Sequence, residues 1–178
     1  MKKPKSLKIT YLGNKVLRHK AKSVKQTTDK KIQDFIDNLI LTCKTAKGVG
    51  IAAPQVNKSA RVMIVWSHPN KRYPKALNMK PVAMINPRIL KKSNQKEKDW
   101  EGCLSIPGIR GLVPRYKWVE VEYVNRKGEK VREKLSDSFV ARIFQHELDH
   151  LNGVLFIDRT KSRDLIGEQE YQKLIKKN

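Results

Sequence analysis

The sequence predicts an α+β fold. Two stripes of apolar residues at helical spacing lie near residues 32–43 and 139–150, and the chain between them offers short apolar runs and one alternating pair of strand-like segments. With 178 residues, 39% of them hydrophobic, the chain can form one domain with its own core and is too short for two comfortable ones.

Taken in order, Thr28 or Asp29 can cap a first helix. Its residues Ile32, Phe35, Ile36, Leu39, Ile40 and Cys43 fall on one face, and it should stop near Gly48. Cys43 lies on that stripe and reads as core. Residues 62–66 and 82–85 are apolar runs of strand length. Residues 118–124 and 129–135 alternate around Asn125, Arg126, Lys127 and Gly128, a hairpin signal. A second helix should begin near Ser136 or Asp137, whose short side chains can accept first-turn N–H groups, and should end at Gly153; its stripe is Phe139, Ile143, His146 and His150. Residues 162–176 carry a weaker helical pattern through Leu165, Ile166, Leu174 and Ile175, interrupted by Gly167. Residues 67–80 and 91–99 read as polar loops.

Lys and Arg number 39 against 17 Asp and Glu, a formal charge of +22. The excess is uneven: residues 1–31 hold eleven Lys/Arg and the single acid Asp29, and residues 71–98 hold nine against Glu97 alone. Such a charge attracts polyanions over distance, although a lysine-rich solvated face is its commoner meaning. The basic first residues lead into no apolar leader, and no run reaches membrane-spanning length. Two cysteines in unrelated contexts, Cys43 and Cys103, suit a reducing compartment. A cytoplasmic protein with no membrane segment is expected.

The chemistry concentrates in His146-Glu147-Leu148-Asp149-His150. Four helical steps return the second imidazole to within about 40° of the first, so two ring nitrogens can share one ion. Glu147, offset by one residue, is placed to touch a water on that ion rather than to ligate it. If these were instead core histidines, two imidazoles and a carboxylate would be buried in an apolar stripe with no cation to pair them, which is costly. A catalytic site needs a third ligand. The histidine position used by metzincin-type proteases holds Phe156; Glu168 or Glu170 could serve as in thermolysin-like enzymes; Cys103, among the small neighbours of EGCLS at 101–105, offers a thiolate suited to a borderline-soft ion. On its own Cys103 reads equally well as a small buried hydrophobe. The block GVGIAAPQ at 48–55 permits close backbone approach, and Gln55 offers amide donors for a developing oxyanion, yet a helix stop followed by a small-residue turn explains it as well.

Together, GVGIAAPQ at 48–55, EGCLS at 101–105 and QHELDH at 145–150 resemble the peptide deformylase family, with a looser match from VLRHKAKSV at 16–24 through VLFIDR at 154–159. The resemblance implies antiparallel sheets around a central metal-binding helix, with a C-terminal helix. It implies removal of the formyl group from N-formylmethionyl nascent peptides, with release of formate. It also implies one divalent ion on Cys103, His146 and His150, ferrous iron first and zinc, nickel or cobalt as alternatives. Glu147 would take the proton of a water acidified by that ion and return it to the departing amine. Gln55 and the backbone N–H of Leu104 would hold the oxyanion. The backbone of Val49 and Gly50 would pair with the peptide as an added strand, Phe139 and Ile143 would shape the methionine pocket, and Glu101 and Arg110 would support the site. The basic surface raises the expectation of transient contact with the ribosome. Two other classes stay open: a metallo-endopeptidase with a different third ligand, and a basic RNA-docking module with a structural metal.

Overall fold

In the computed structural model, which describes residues 3–70 and 73–176, the chain runs through helix α1 (Lys30–Thr45), strands β1 (Gly50–Ala52), β2 (Val62–Val65), β3 (Val82–Lys92), β4 (Lys96–Cys103), β5 (Ile106–Tyr116), β6 (Val119–Val124) and β7 (Lys130–Leu135), helix α2 (Ser138–Leu151), strand β8 (Leu165–Gly167) and helix α3 (Glu168–Lys176). All pairings are antiparallel. They make a five-stranded sheet in the order β1-β2-β3-β6-β7 and a three-stranded sheet in the order β4-β5-β8.

The two-residue period of a strand explains the layering. One face of the larger sheet, with Ile51, Val62, Ile64 and Ile85, packs on Ile36, Leu39 and Cys43 of α1. The opposite face, with Met63, Val65, Met84, Val119 and Val121, packs on Val140, Ala141, Ile143, Phe144, Leu148 and Leu151 of α2. Beyond α2 lies the smaller sheet, where Ile106 and Val113 join Leu17, Leu155 and Phe156. Helix α2 is therefore enclosed by both sheets, and residues 140–151 are all buried. The α+β architecture of antiparallel sheets around a central helix, with a C-terminal helix, is as expected. No helix among the described residues is long and apolar enough to cross a membrane.

The local signals place the helix ends well. Asp29 accepts the Lys31 N–H at the start of α1, and Asp137 accepts the Val140 N–H at 2.9 Å at the start of α2. Gly153 follows α2 with φ +76°, and its N–H reaches the His150 carbonyl at 3.2 Å, a left-handed stop that glycine takes without strain. The anticipated hairpin is β6–β7, with Val119 opposite Leu135. Two expectations need correction. Residues 91–99 are not one loop: β3 runs on to Lys92 and β4 begins at Lys96, so only residues 93–95 turn. This end of the ribbon is mostly solvent-exposed, so its strands show no apolar alternation. Residues 165–167 are strand rather than helix, because they pair along β5 with Ile109 opposite Gly167 and Gly111 opposite Leu165. Lys2, Lys71 and Arg72 of the basic segments lie outside the described residues.

A buried ionic network ties α2 to the smaller sheet. Arg115 on β5 donates through Nε and Nη2 to both oxygens of Glu101 on β4, each at 2.9 Å, and through Nη1 to Asp149 on α2. Arg142 on α2 donates to Glu101 at 2.9 Å and to the Val113 carbonyl at 2.8 Å. Arg159 closes on Asp149 at 2.7 Å. Burial alone would raise the Glu101 carboxyl, but Arg115 and His146 hold it well below the usual carboxylate range. Removing one member leaves its partners charged and enclosed, so Arg115→Ala should lower unfolding free energy by about 3–5 kcal/mol. Urea denaturation checks this; a change under about 1 kcal/mol, the scale of an exposed pair, would mean the network is solvated in solution.

Candidate metal centre

Three stretches of chain converge on a cavity of about 310 Å³: the segment around β1, the β4–β5 hairpin and the inward face of α2. On α2, one helical turn separates His146 from His150, and their rings meet edge-on with centroids 5.0 Å apart. On the hairpin, the ladder runs regularly to Gly102 opposite Arg110 and then shifts so that Cys103 faces Ile106. An irregularity of this kind re-aims a side chain. The Cys103 sulfur thereby comes to 3.2 Å from His150 Nε2. Cys103 Sγ and one nitrogen from each of the two imidazoles lie within 4.8 Å of one another, and this is the only such ligand cluster among the described residues.

The surroundings fix each donor. Glu101 Oε2 sits 2.9 Å from His146 Nδ1, which leaves Nε2 of that ring directed at the cluster. Gln55 is 1% exposed; its Oε1 accepts the Ala52 N–H at 2.8 Å, so its NH2 group must be the end that faces Cys103 Sγ at 3.5 Å. The Ser105 N–H also points at the sulfur, at 3.4 Å. Burial, reinforced by His146, holds His150 well below its ordinary value and so in the neutral form that offers a lone pair. Burial opposes charge on His146, yet its contacts with Cys103 and Glu101 hold it well above its ordinary value. An ion would displace the proton held there.

Glu147 lies beside this group with Oε2 buried and without a hydrogen-bond partner, and burial pushes its carboxyl up to about 7. Gly50 packs directly against it: a β-carbon there would stand 2.6 Å from Glu147 Oε1 and 2.8 Å from Ile143 Cγ2. The donor set fits a borderline-soft divalent cation, and the unmet carboxylate oxygen fits a water or polar ligand beside it.

Of the residues picked out from sequence, Val49, Gly50, Gln55, Leu104, Phe139 and Ile143 line the same cavity as Cys103, His146 and Glu147. His150 lies just beneath it, 1% exposed. The other candidate third ligands stand outside the cluster: Glu168 lines the same cavity but pairs with Arg110, Glu170 pairs with Lys173, and the Phe156 ring lies 6.3 Å from that of His146. No motif pointed to Arg115 or Arg142, and Asp149 drew attention only as a filler within the histidine run. The available signal was charge at positions where α2 otherwise shows apolar residues.

The family model for polypeptide deformylase matches residues 6–165. Peptide deformylase 2 of Nostoc sp. is 56% identical over 176 residues, covering 98% of each chain, and the peptide deformylase of Halothermothrix orenii is 43% identical over 163 residues, covering 92% of this chain and 97% of that one. Among solved structures, the Met-Ala-Ser-bound class I type b peptide deformylase of Acinetobacter baumannii superposes with a TM-score of 0.84 at 43% identity, over 86% of this chain and 98% of that one. With such matches along nearly its whole length, and with all three of the blocks that first suggested it lining one cavity, the chain belongs to the peptide deformylase family.

Proposed function

We propose that Cys103, His146 and His150 hold one divalent ion and that Glu147 is the proton-transfer group of the family's reaction. That reaction is hydrolysis of the formyl group from the N-terminal methionine of nascent polypeptides, with release of formate. The observation that carries the assignment of roles is the cluster itself: three donors within 4.8 Å of one another, beside a carboxylate with an unmet oxygen. When bound, a divalent ion supplies Lewis acidity that brings a water's pKa toward neutrality. Glu147, raised to about 7, can accept that water's proton near neutral pH and pass it to the departing amine. Gln55 Nε2 and the Leu104 backbone N–H, at the tip of the β4–β5 hairpin, are the donors we assign to the oxyanion.

Substrate would lie along β1. This strand pairs with β2 on one side only, so its other edge is available to an extended peptide; the Val49 carbonyl accepts the Trp66 N–H. Ile143, 4% exposed, and Phe139, whose ring lies 4.3 Å from that of Tyr73, form the apolar wall we assign to the methionine side chain. The ion we propose is ferrous iron, because a thiolate with two imidazoles suits a borderline-soft metal and the family resemblance implies iron; zinc, nickel or cobalt would fit the same donors. We further place the enzyme in the cytoplasm, acting as one catalytic domain over residues 1–178. There its exposed lysines, among them Lys3, Lys5 and Lys8, would make transient contact with the ribosome.

Single replacement of Cys103, His146 or His150 by Ala should abolish stoichiometric metal, whereas Glu147→Ala should keep it and lower kcat about 10²–10⁴-fold. Elemental analysis of anaerobically purified protein reads both the ligand set and the metal's identity; full metal content in Cys103→Ala would revive the endopeptidase reading. Gly50→Ala forces a methyl into Glu147, so kcat/KM should drop about a hundredfold with the fold and metal content kept, as a displacement near 1 Å at the reacting groups can cost. Formyl-Met peptides should be cleaved far faster than acetyl-Met peptides, and comparable rates, or internal cleavage of an unblocked peptide, would defeat the assignment. Ribosome co-sedimentation should weaken steeply with salt, and Lys3→Gln/Lys5→Gln/Lys8→Gln should flatten that slope by about one unit for each phosphate no longer neutralised. No binding at low salt would leave the basic surface a solvated face.

A further inference from the structure

Two donors face the Cys103 sulfur, the Gln55 amide at 3.5 Å and the Ser105 backbone N–H at 3.4 Å. They come from separate parts of the fold. Gln55 lies in the single turn Ala53–Val56 that follows β1 of the larger sheet, and Ser105 lies at the tip of the β4–β5 hairpin in the smaller one. Among the described residues no backbone hydrogen bond joins these two segments directly. A third segment joins both: the Thr10 N–H donates to the Gln55 carbonyl at 2.8 Å, and the Leu12 N–H donates to the Ser105 carbonyl at 2.9 Å. The residues it grips are the two that carry the donors to sulfur.

Two residues of chain span at most about 7 Å, so while both bonds hold, the Gln55 and Ser105 carbonyls cannot drift apart. The segment is itself anchored on α1, where the Lys5 N–H meets Asn38 Oδ1 at 2.7 Å and the Leu7 N–H meets Thr42 Oγ1 at 2.8 Å. Beyond Leu12 it turns, with the Asn14 N–H on the Tyr11 carbonyl at 3.2 Å and Gly13 at φ +103°. A positive φ at the third position alone marks a type II turn, and its second position, here Leu12, takes the backbone angle that proline prefers. Hydrogen bonds to a ligating sulfur draw charge from it and limit its swing. The Gln55 nitrogen carries a second N–H, which stays available to an oxyanion.

We propose that residues 10–12 are a positioning bridge for the cysteine ligand: the Thr10 and Leu12 N–H groups hold Gln55 and Ser105 so that both donors stay on the Cys103 sulfur. The N-terminal segment, remote in sequence from all three candidate ligands, thereby sets how firmly the cysteine side of the site keeps its ion. The proposal rests on the reading of Cys103, His146 and His150 as the metal ligands.

Leu12→Pro removes one N–H in a turn position that proline accepts, and Leu12→Ala keeps that N–H while removing most of an exposed side chain. In the cobalt(II)-loaded full chain, the thiolate-to-cobalt charge-transfer band of Leu12→Pro should move to longer wavelength, because a sulfur with a weakened hydrogen bond gives up electron density more easily. Release of cobalt to excess EDTA should be about three- to tenfold faster than from Leu12→Ala, the scale of one hydrogen bond. If Leu12→Pro does not fold, Gly13→Ala decides: its β-carbon would meet nothing within 4 Å, yet it strains the turn that presents the Leu12 N–H. The band and the release rate should then change in the same direction. A lower melting temperature with the wild-type band and release rate, or equal changes in Leu12→Ala and Leu12→Pro, would overturn the bridge. Wild-type protein that binds no cobalt, or a band that persists in Cys103→Ala, would instead overturn the ligand assignment beneath it.

Discussion

The carboxylate of Glu101 is the constraint on which the rest of the site depends. It is buried, it belongs to β4, and it is shared among Arg115 on β5, Arg142 on α2 and the Nδ1 of His146. A carboxylate in that setting would be prohibitively desolvated without the two guanidiniums, and the guanidiniums would be equally costly without it. The ionic group therefore stands or falls as a unit. Its geometric effect is to fix the distance between the strand that ends in Cys103 and the helix that carries both histidines, and at the same moment to choose which nitrogen of His146 faces the cluster. Packing of apolar side chains places α2 between the sheets; the Glu101 group sets its rotation and register.

Around that anchor, small residues decide what can approach. Gly50 keeps its backbone in contact with Glu147 and Ile143 because any β-carbon would collide with both. Gln55 is oriented by giving up its oxygen to the Ala52 N–H, which leaves its donors for the sulfur side of the cavity. The loop and β1 are thus shaped by backbone proximity, whereas the candidate ligands are shaped by charge, and the two kinds of constraint meet at Glu147.

Much of this was legible in the residues. The stripe Phe139, Ile143, His146 and His150 announced a helix whose inner face carries two candidate ligands, and Asp137 and Gly153 marked its ends within a residue or two. The β6–β7 hairpin followed from alternation and turn chemistry. Cys103 could not be separated from an ordinary buried thiol by its own neighbours; only its occurrence with the other two blocks singled it out. What stayed hidden has a common physical cause. Strands β4 and β5 give a weak apolar alternation because much of their length is bathed by solvent and their buried positions mix the charged Glu101, Arg110 and Arg115 with the aliphatic Ile106 and Val113, so period-two reasoning had little to detect. Arg115 and Arg142 are invisible for the same reason: a single sequence does not show which of 39 basic residues has been taken out of water. Strand β8 is three residues long and exists only because β5 offers an edge to it.

The complete enclosure of α2 has a kinetic side. A helix with one wet face can fray and reclose while the rest of the molecule stays intact, but residues 140–151 touch both sheets, and opening them would strip the inner surface of each. Their amide protons belong with the slowest-exchanging set, released when the whole structure comes apart rather than by breathing. Two of the three candidate ligands therefore sit in the last part of the chain to loosen, and the third sits on a mostly polar hairpin. Escape of an ion would begin from the cysteine side, with the histidine pair still in place to recapture it.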